Sequence, residues 1–205
     1  MGAASQINAS LIIKMSNADA AFRNIHQELI DGCKTGDHKA QFQIYKLYYK
    51  AMYNTSLRIV NNSMEAEDIM QESFLSAFEK IDTYSGTVSF GAWLKKIVIN
   101  RSLDALEKRK AVFEDIESHF GIRDDSPEET TRNEEIDLKV EEVREAIKRL
   151  PNGYRVILSL YILEGYDHDE ISEILNISSS TSRSQLSRAK QKLLGELYKN
   201  RKFKE

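Results

Sequence analysis

The chain has 205 residues, enough for one or two compact domains, and its 41% hydrophobic content allows each a core. Its formal net charge of -3 excludes an overall cationic nucleic-acid binder, and one cysteine, Cys33, excludes an internal disulfide. No apolar run reaches the roughly 18 residues of a membrane span. Two prolines, 9 glycines and the lack of alternating apolar and polar residues favour helices over strands. We expect a soluble, cytoplasmic, all-α protein.

The first 60 residues predict a tail followed by two helices. Residues 1–22 are small and polar, and we expect them to form a flexible tail. A short helix is predicted from Asn24 to Cys33, and a long one from its N-cap Asp37 to about Val60. The apolar residues of the long helix recur at steps of mostly three and four and predict a face packed on a core. They are Phe42, Tyr45, Tyr49, Met52, Tyr53, Leu57 and Val60.

A third helix, with Ser63 as its predicted N-cap, has two unlike faces. Its inward face is predicted to hold Ile69, Met70, Phe74, Ala77, Phe78 and Ile81. The other face carries Glu65, Asp68, Gln71 and Glu72. This polar face is either a solvated surface or a docking surface for a basic partner.

A polar turn, Asp82 to Ser89, leads into a helix predicted from Phe90 to Lys110. Aromatic residues flank the turn, and cationic residues end the helix. Such a combination can hold an unstacked base while lysines and arginines bind phosphates. Asn100 interrupts an apolar run; it either bonds a neighbouring backbone carbonyl or contacts a base edge, since its amide both donates and accepts.

The composition changes between residues 113 and 133, where acidic residues dominate. We interpret this segment as a linker. The fold prediction is therefore two small helical domains, residues 23–112 and 134–205, joined by an acidic linker.

The second domain contains a predicted helix-turn-helix. A helix through Ile136, Val143 and Leu150 and another through Ile157 precede it. Asp167 is predicted to cap its first helix. Asn176 suits the tight turn, and Ser178 is predicted to cap the last helix.

The last helix is predicted to direct Leu186, Ala189, Leu193 and Leu197 to the core. Its outward residues are Arg183, Ser184, Ser187 and Arg188. Arginine can bind guanine edges in a bidentate way and serine can approach bases closely, so this face suits the major groove. The alternative is an ordinary solvated basic helix.

The segments AEDIMQESF, FGAWLKKIVINRSLDALEKRK and LPNGYRVILSLYILEGYDHDEISEILNISSSTSRSQLSRAKQKL occur in this order. From about Ile25 to Leu197 the chain resembles a bacterial sigma factor of the sigma-70 family, extracytoplasmic-function (ECF) subgroup. The resemblance implies a protein that binds core RNA polymerase and directs promoter-specific transcription initiation. It implies no cofactor and no enzymatic activity, and an anti-sigma factor as a further partner.

The resemblance also implies site residues. Asp68, Gln71 and Glu72 would bind the clamp helices of the largest polymerase subunit. The minus-ten element would contact Tyr84, Ser85, Trp93, Lys96, Asn100, Arg101 and Asp104. The minus-thirty-five element would contact Arg183, Ser184, Ser187 and Arg188. The surface around Leu150, Tyr154 and Leu158 would meet the flap of the second-largest subunit.

The chain departs from the resemblance at Ser180 and Ser182, where family members usually have glycine and valine. Ser182 falls near the inward face of the last helix. The loss of buried methyl groups there costs roughly 1 kcal/mol, so looser packing of this helix is expected.

A further possibility is a sigma-like protein that has become an adaptor or an inhibitor of initiation, and two other classes of function fit the sequence less well. A stand-alone helix-turn-helix regulator explains the second domain but leaves the first without a role. An enzyme is disfavoured because His26, His38, His119 and His168 lack metal-ligand spacing. The sequence also has neither a glycine-rich phosphate loop nor a nucleophile elbow.

Overall fold

The regular structure is helical throughout residues 26–117 and 140–202, which the computed structural model describes. The helices are α1 (Gln27–Lys34), α2 (His38–Val60), α3 (Ser63–Glu79), α4 (Phe90–Glu117), α5 (Val140–Arg149), α6 (Asn152–Leu158), α7 (His168–Leu175) and α8 (Ser179–Lys202). A 3-10 turn, Ile81–Thr83, follows α3, and a π-helical turn, Ser159–Leu163, follows α6. The all-α prediction is confirmed for these residues. The predicted tail, residues 118–133 of the predicted linker, and Ile136 lie outside them.

Short polar side chains cap the starts of α2 and α3. Asp37 caps α2 as predicted, because its Oδ1 accepts a 2.8 Å hydrogen bond from the Lys39 backbone N–H. The cap of α3 is Asn62 and not the predicted Ser63, since Asn62 Oδ1 accepts from the Glu65 N–H at 3.1 Å. Ser63 is instead the first helical residue.

Contacts divide the described residues into two units. The first combines the residues up to Tyr53 with Asp68–Val98, and the second combines Asn54–Glu67 with the residues from Ile99 onward. The first core contains Ile30, Ile44, Met52, Met70, Phe74, Phe90 and Leu94; the second contains Ile59, Ile99, Leu150, Ile157, Leu160, Ile171, Leu186 and Leu197. Each such side chain contributes about 1.5–3 kcal/mol on full burial. The division passes through α2, α3 and α4, while the boundaries at residues 112 and 134 stay a prediction.

The buried face of α2 differs from the predicted one. Phe42 is 59% exposed and has the Lys46 ammonium 5.5 Å from its ring centroid. Met52 and Val60 are buried as predicted, but Ile44 and Ile59, which were not predicted, are buried as well. Because α2 carries apolar or aromatic residues on most of its circumference, spacing alone does not identify the side that meets the core.

The helix-turn-helix forms as predicted. Asp167 makes a complete capping box with Glu170 at the start of α7. Asn176 ends α7 in the left-handed conformation with φ of 51°. Ser178 Oγ then accepts the Thr181 N–H at 3.1 Å at the start of α8. Local hydrogen bonds thus set the angle at which α8 leaves the turn.

The helix predicted through Ile157 to near Gly165 is regular only to Leu158. The five residues that follow form the π-helical turn, and Gly165 has φ of 80°. A π-helical turn adds a residue and so shifts the faces of the helix that carries it. Ile162 and Leu163 are consequently exposed, although each lies in a strongly apolar run.

Candidate nucleic-acid and partner interfaces

Three of the four residues predicted on the polar face of α3 are exposed, whereas the fourth, Glu65, is half-buried and pairs with Arg109. Asp68, Gln71 and Glu72 lie three and four positions apart and therefore adjoin on one side of the helix. The opposite side, with Met70 and Phe74, is buried. This orientation leaves two carboxylates and one amide at the surface of α3.

Two exposed apolar residues share that side of α3, and sequence analysis missed both of them. Leu75 is 64% exposed and follows Gln71 by four positions, while Met64 is 78% exposed and precedes Asp68 by four. Their spacing of four positions from Asp68 and Gln71 could have predicted that they lie on the same side of the helix. Apolar residues surrounded by polar ones are typical of the centre of a protein–protein interface. We call Met64, Asp68, Gln71, Glu72 and Leu75 the α3 face.

An aromatic cluster holds the turn before α4. The ring centroids of Tyr84 and Phe90 are 5.4 Å apart, those of Tyr84 and Trp93 are 5.4 Å apart, and those of Phe90 and Trp93 are 5.5 Å apart. The Tyr84 hydroxyl donates to the Val88 carbonyl at 2.7 Å. Ring and hydroxyl of Tyr84 therefore both shape the turn, while Phe90 is buried beneath it.

Small hydroxyl residues complete the turn. Ser85 is exposed, and its Oγ lies 3.0 Å from Thr87 Oγ1. Gly86 between them has φ of 76°, which a residue with a Cβ rarely adopts. Ser89 Oγ accepts from the Ala92 N–H at 3.2 Å and caps α4. The turn is thus fixed by its own hydrogen bonds and presents hydroxyl groups to solvent.

Tyr48 supports this cluster from α2. Its ring lies 5.5 Å from that of Phe90, and a Cβ added to Gly91 would lie 2.9 Å from Tyr48 Cε1. Burial, and secondarily the neighbouring Tyr84, raises the pKa of the Tyr48 phenol. The start of α4 thus approaches α2 more closely than a larger residue would allow.

We expect Gly91→Ala to lower the free energy of unfolding by about 1–3 kcal/mol, because the added methyl group overlaps the Tyr48 ring. Gly195→Ala is the matched control. Gly195 lies inside α8 and an added Cβ would meet no atom within 4 Å, so that change should stabilise by up to about 1 kcal/mol. Urea unfolding of both variants measures the difference, and equal midpoints would contradict the close approach.

The predicted DNA-binding residues of α4 are mostly exposed. Lys96, Asn100 and Asp104 are exposed and succeed one another at intervals of four. Arg101 beside them is half-buried, and so is Trp93, three positions before Lys96. Residues at such intervals lie along one side of a helix. Asn100 does not lie in the core, so its amide is accessible from solvent.

The outward side of α8 is arranged as predicted. Arg183, Ser184, Ser187 and Arg188 are exposed, whereas Leu186 and Ala189 are buried. Ser184 Oγ donates to the Thr181 carbonyl at 3.0 Å, which leaves its oxygen able to accept. Two guanidinium groups thus flank two hydroxyl groups on the second helix of the helix-turn-helix.

The expectation about Ser182 is corrected. Ser182 is fully buried, and its Oγ lies 2.9 Å from His168 Nδ1. His168 also stacks on Tyr161, with 4.8 Å between ring centroids. The buried hydroxyl therefore has a partner, and the bond joins α7 to α8 instead of loosening α8. The position of a serine on the inward face of α8 could have predicted a buried hydrogen-bond partner.

The predicted surface around Leu150, Tyr154 and Leu158 is also corrected. Leu150 and Leu158 are 2% and 1% exposed and belong to the core. Tyr154 is half-buried. Among residues 140–199, the large apolar side chains that are exposed are Tyr161, Ile162 and Leu163 of the π-helical turn, Val140 and Leu194.

Residues 26–117 and 140–202 bear on two other kinds of site, metal centres and membrane spans. No three His, Cys, Asp or Glu residues of these ranges are placed to hold a metal ion. No helix in them combines the length and the apolar character needed to cross a bilayer. Cys33 is buried, and burial, with Asp37 second, raises the pKa of its thiol.

Comparison with known families matches both halves of the chain. Residues 44–112 match the family model for sigma-70 region 2, and residues 140–193 match that for sigma-70 region 4. All of the predicted site residues lie within these two ranges.

Two solved structures share the fold. One is the sigma factor RpoE in complex with the anti-sigma factor NepR from Bartonella quintana, with a TM-score of 0.54 and 20% identity over 76% of this chain and 95% of that one. The other is CnrH in complex with the cytosolic domain of CnrY. Its TM-score is 0.52, and it is 20% identical over 82% of this chain and 94% of that one.

Three related sigma factors match this chain over most of their own length. The ECF RNA polymerase sigma factor SigM of Bacillus subtilis is 31% identical over 155 residues, which are 74% of this chain and 91% of that protein. SigW of the same organism is 29% identical over 175 residues, which are 80% of this chain and 92% of SigW. The RNA polymerase sigma-H factor of Pseudomonas aeruginosa is 28% identical over 176 residues, 80% and 90%. The chain belongs to the ECF RNA polymerase sigma factors of the sigma-70 family, which direct promoter-specific initiation of transcription.

Proposed function

We propose that this sigma factor binds core RNA polymerase through the α3 face. The observation that carries the proposal is the exposure of Asp68, Gln71 and Glu72 together with the unpacked Leu75. This acidic surface would repel DNA phosphates, whereas together with the apolar residues beside it, it suits a basic protein surface. The clamp helices of the largest polymerase subunit are the proposed partner, and complementary basic groups on them would steer association.

The aromatic turn and α4 are proposed to bind the melted minus-ten element. The exposed hydroxyl of Ser85 and the half-buried Trp93 offer a polar edge and a stacking surface to a base that has left the duplex. Tyr84 supports that pocket from within. Farther along α4, Lys96 and Arg101 would bind phosphates, and Asn100 and Asp104 would contact the separated strand.

The outward side of α8 is proposed to read the minus-thirty-five element in the major groove. Arg183 and Arg188 can each bind a guanine or a phosphate, and Ser184 and Ser187 are small enough to let the helix approach the bases. The exposed Ile162 and Leu163 replace the buried leucines as the proposed contact with the flap of the second-largest subunit.

The remaining parts of the proposal concern organisation and regulation. Residues 23–112 and 134–205 are proposed to act as separate domains joined by the acidic segment 113–133, although α4 continues past its predicted end at Lys110 to Glu117 and so includes the first five residues of that segment. The polymerase performs the chemistry in the cytoplasm, and this chain performs none. An anti-sigma factor, such as the one bound to RpoE of Bartonella quintana, is proposed to cover the polymerase-binding surface of this chain until it is released.

Transcription from a promoter library, by core polymerase with and without this chain, tests the proposal. We expect start sites that depend on the chain and share two sequence elements. Gel shifts with a selected promoter should require core polymerase, because each DNA-binding surface alone is small. Tight duplex binding by the isolated chain, with no new start sites, would instead identify a stand-alone regulator.

A further inference from the structure

The outward side of α2 is basic. Lys39, Lys46 and Lys50 are exposed, and at about 100° per residue they lie within about 40° of arc on the helix. The sequence of α2 contains no aspartate or glutamate. Among the carboxylates of residues 26–117 and 140–202, none forms an ion pair with these lysines. The helix therefore presents a stripe of positive charge to solvent.

Two large apolar side chains flank this stripe. Phe42 and Leu47 are exposed by half or more, and they lie about 60° and 80° of arc to either side of the lysines. The Lys46 ammonium lies 5.5 Å from the Phe42 ring centroid, so charge and apolar surface adjoin. Burying both apolar side chains against another protein would remove them from water. We call Lys39, Phe42, Lys46, Leu47 and Lys50 the α2 face.

The α3 face has the opposite charge and a similar apolar content. Asp68 and Glu72 supply two carboxylates, and Met64 and Leu75 supply two exposed apolar side chains. Surfaces of opposite sign that each expose apolar groups are complementary, because charges select the partner and apolar groups gain by burial. One chain thus carries both halves of such a contact.

The two faces lie side by side on one surface of the first unit. Tyr45 of α2 and Phe74 of α3 bring the helices together, with 5.0 Å between their ring centroids. On their opposite sides both helices bury residues in the same core, Ile44 and Met52 from α2 and Met70 from α3. Adjoining helices that share a core direct their polar sides to the same surface. Because both faces point away from that core, neither can cover the other within one copy of the chain.

We propose that the chain forms a dimer in which the α2 face of each copy covers the α3 face of the other. A two-fold axis that runs between α2 and α3 makes both contacts at once, since it places each face over its complement. A second copy is the partner because the basic and the acidic face adjoin on one surface of the same chain. The inference rests on the proposed function only for its consequence, which is that the dimer hides the polymerase-binding surface.

The size of the faces sets the expected strength of the dimer. Together they hold about ten side chains, whereas a standard interface uses roughly 20–30 residues on each partner. We expect a weak dimer with a dissociation constant of about 10 µM. When the concentration of the chain equals that constant, about half of the chains are dimeric, and the apparent affinity for core polymerase falls about twofold.

Sedimentation equilibrium of the full chain measures this association. At low salt we expect a monomer–dimer equilibrium between about 1 and 200 µM, and added salt should dissociate the dimer because it screens exposed charges. A chain that stays monomeric at about 200 µM in low salt would overturn the proposal.

Charge reversal tests which faces meet. Lys46→Glu with Lys50→Glu makes the α2 face acidic, and Asp68→Lys with Glu72→Lys makes the α3 face basic. Each variant alone should be monomeric where the wild type is dimeric, because its two faces then carry like charge. An equimolar mixture should form a heterodimer, in which both contacts again join opposite charges. A folding defect cannot produce this restoration, and a mixture of monomers would contradict the pairing of the faces.

Lys34→Glu with Lys108→Glu is the matched control. It reverses two exposed lysines of α1 and α4 that lie outside both faces, and it changes the net charge by the same amount as the lysine variant of the α2 face. The control should dimerise as the wild type does. Equal dissociation of the control would show that net charge alone governs association, and the proposed faces would be wrong.

Core binding separates this inference from the proposed function. Lys46→Glu with Lys50→Glu keeps the α3 face, so it should bind core polymerase as the wild type does at chain concentrations far below the dimer dissociation constant. Loss of core binding in this variant, beside a monomeric wild type, would assign the α2 face to the polymerase and overturn the dimer. A chain that dimerises through both faces but never binds core polymerase would refute the proposed function and leave the dimer intact.

Discussion

Asp68→Arg combined with Gln71→Ala is expected to abolish binding to core RNA polymerase, with an affinity loss of more than about 100-fold. Interface positions that carry most of the binding energy cost about 2 kcal/mol or more each when altered, and a like charge opposite a basic surface adds repulsion. Both side chains are exposed, so the fold should be retained. Fluorescence anisotropy of the labelled chain against core polymerase measures the loss, and circular dichroism checks the helices.

A matched double variant controls for the change in charge. Glu107→Arg with Gln43→Ala alters one acid and one amide at exposed positions of α4 and α2. This variant should bind core polymerase normally. Leu75→Ala should weaken binding on its own, because burying this exposed apolar side chain in the interface removes it from water. Normal binding by the Asp68 and Gln71 variant would place the docking surface elsewhere on the chain.

Arg188→Ala is expected to reduce transcription from a promoter with a strong minus-thirty-five element by about tenfold to 100-fold, while core binding stays unchanged. A bidentate arginine–guanine pair contributes about 1–3 kcal/mol of discrimination, which corresponds to this range. Run-off transcription at fixed core polymerase concentration measures the effect. Arg144→Ala, an exposed arginine of the same half, should leave transcription unaltered.

Scrambling the minus-thirty-five sequence provides the complementary comparison. Wild type and Arg188→Ala should then transcribe equally poorly, since the lost contact no longer exists in either complex. An equal loss of core binding and transcription would show that Arg188 supports the fold or the polymerase contact and not DNA reading. Arg188 is exposed while Leu186 and Ala189 beside it are buried, so we expect its loss to reduce transcription and leave core binding unchanged.

Much of the fold follows from interactions that are local in sequence. Asp37, Asp167 and Ser178 cap their helices as predicted, and Asn176 makes the predicted left-handed turn. Each depends on hydrogen bonds to residues within a few positions, so the pattern is readable before any tertiary contact is known. The exposure of Asp68 and Arg188 also followed from helical spacing.

Apart from the cap of α3, which is Asn62 and not Ser63, the predictions that were wrong depend on contacts distant in sequence. Whether Leu150 and Leu158 are buried or exposed depends on how their helices pack in the folded domain, which helical spacing does not specify. The π-helical turn that exposes Ile162 also has no clear sequence signature. The capping of α2 by Arg155 joins residues 96 positions apart. The roles of the site residues stay predictions, because exposure limits what a side chain can touch without identifying the molecule that it meets.

The bond between His168 and Ser182 has a consequence for protein engineering. Grafting α8 alone onto another scaffold would bury a hydroxyl without its imidazole, at a cost of about 1–3 kcal/mol. The grafted α8 would then be tilted or unstable, and its DNA-reading residues would be misplaced. The portable unit is therefore the segment from His168 to the end of α8, with Tyr161 or another flat ring supplied beneath the imidazole.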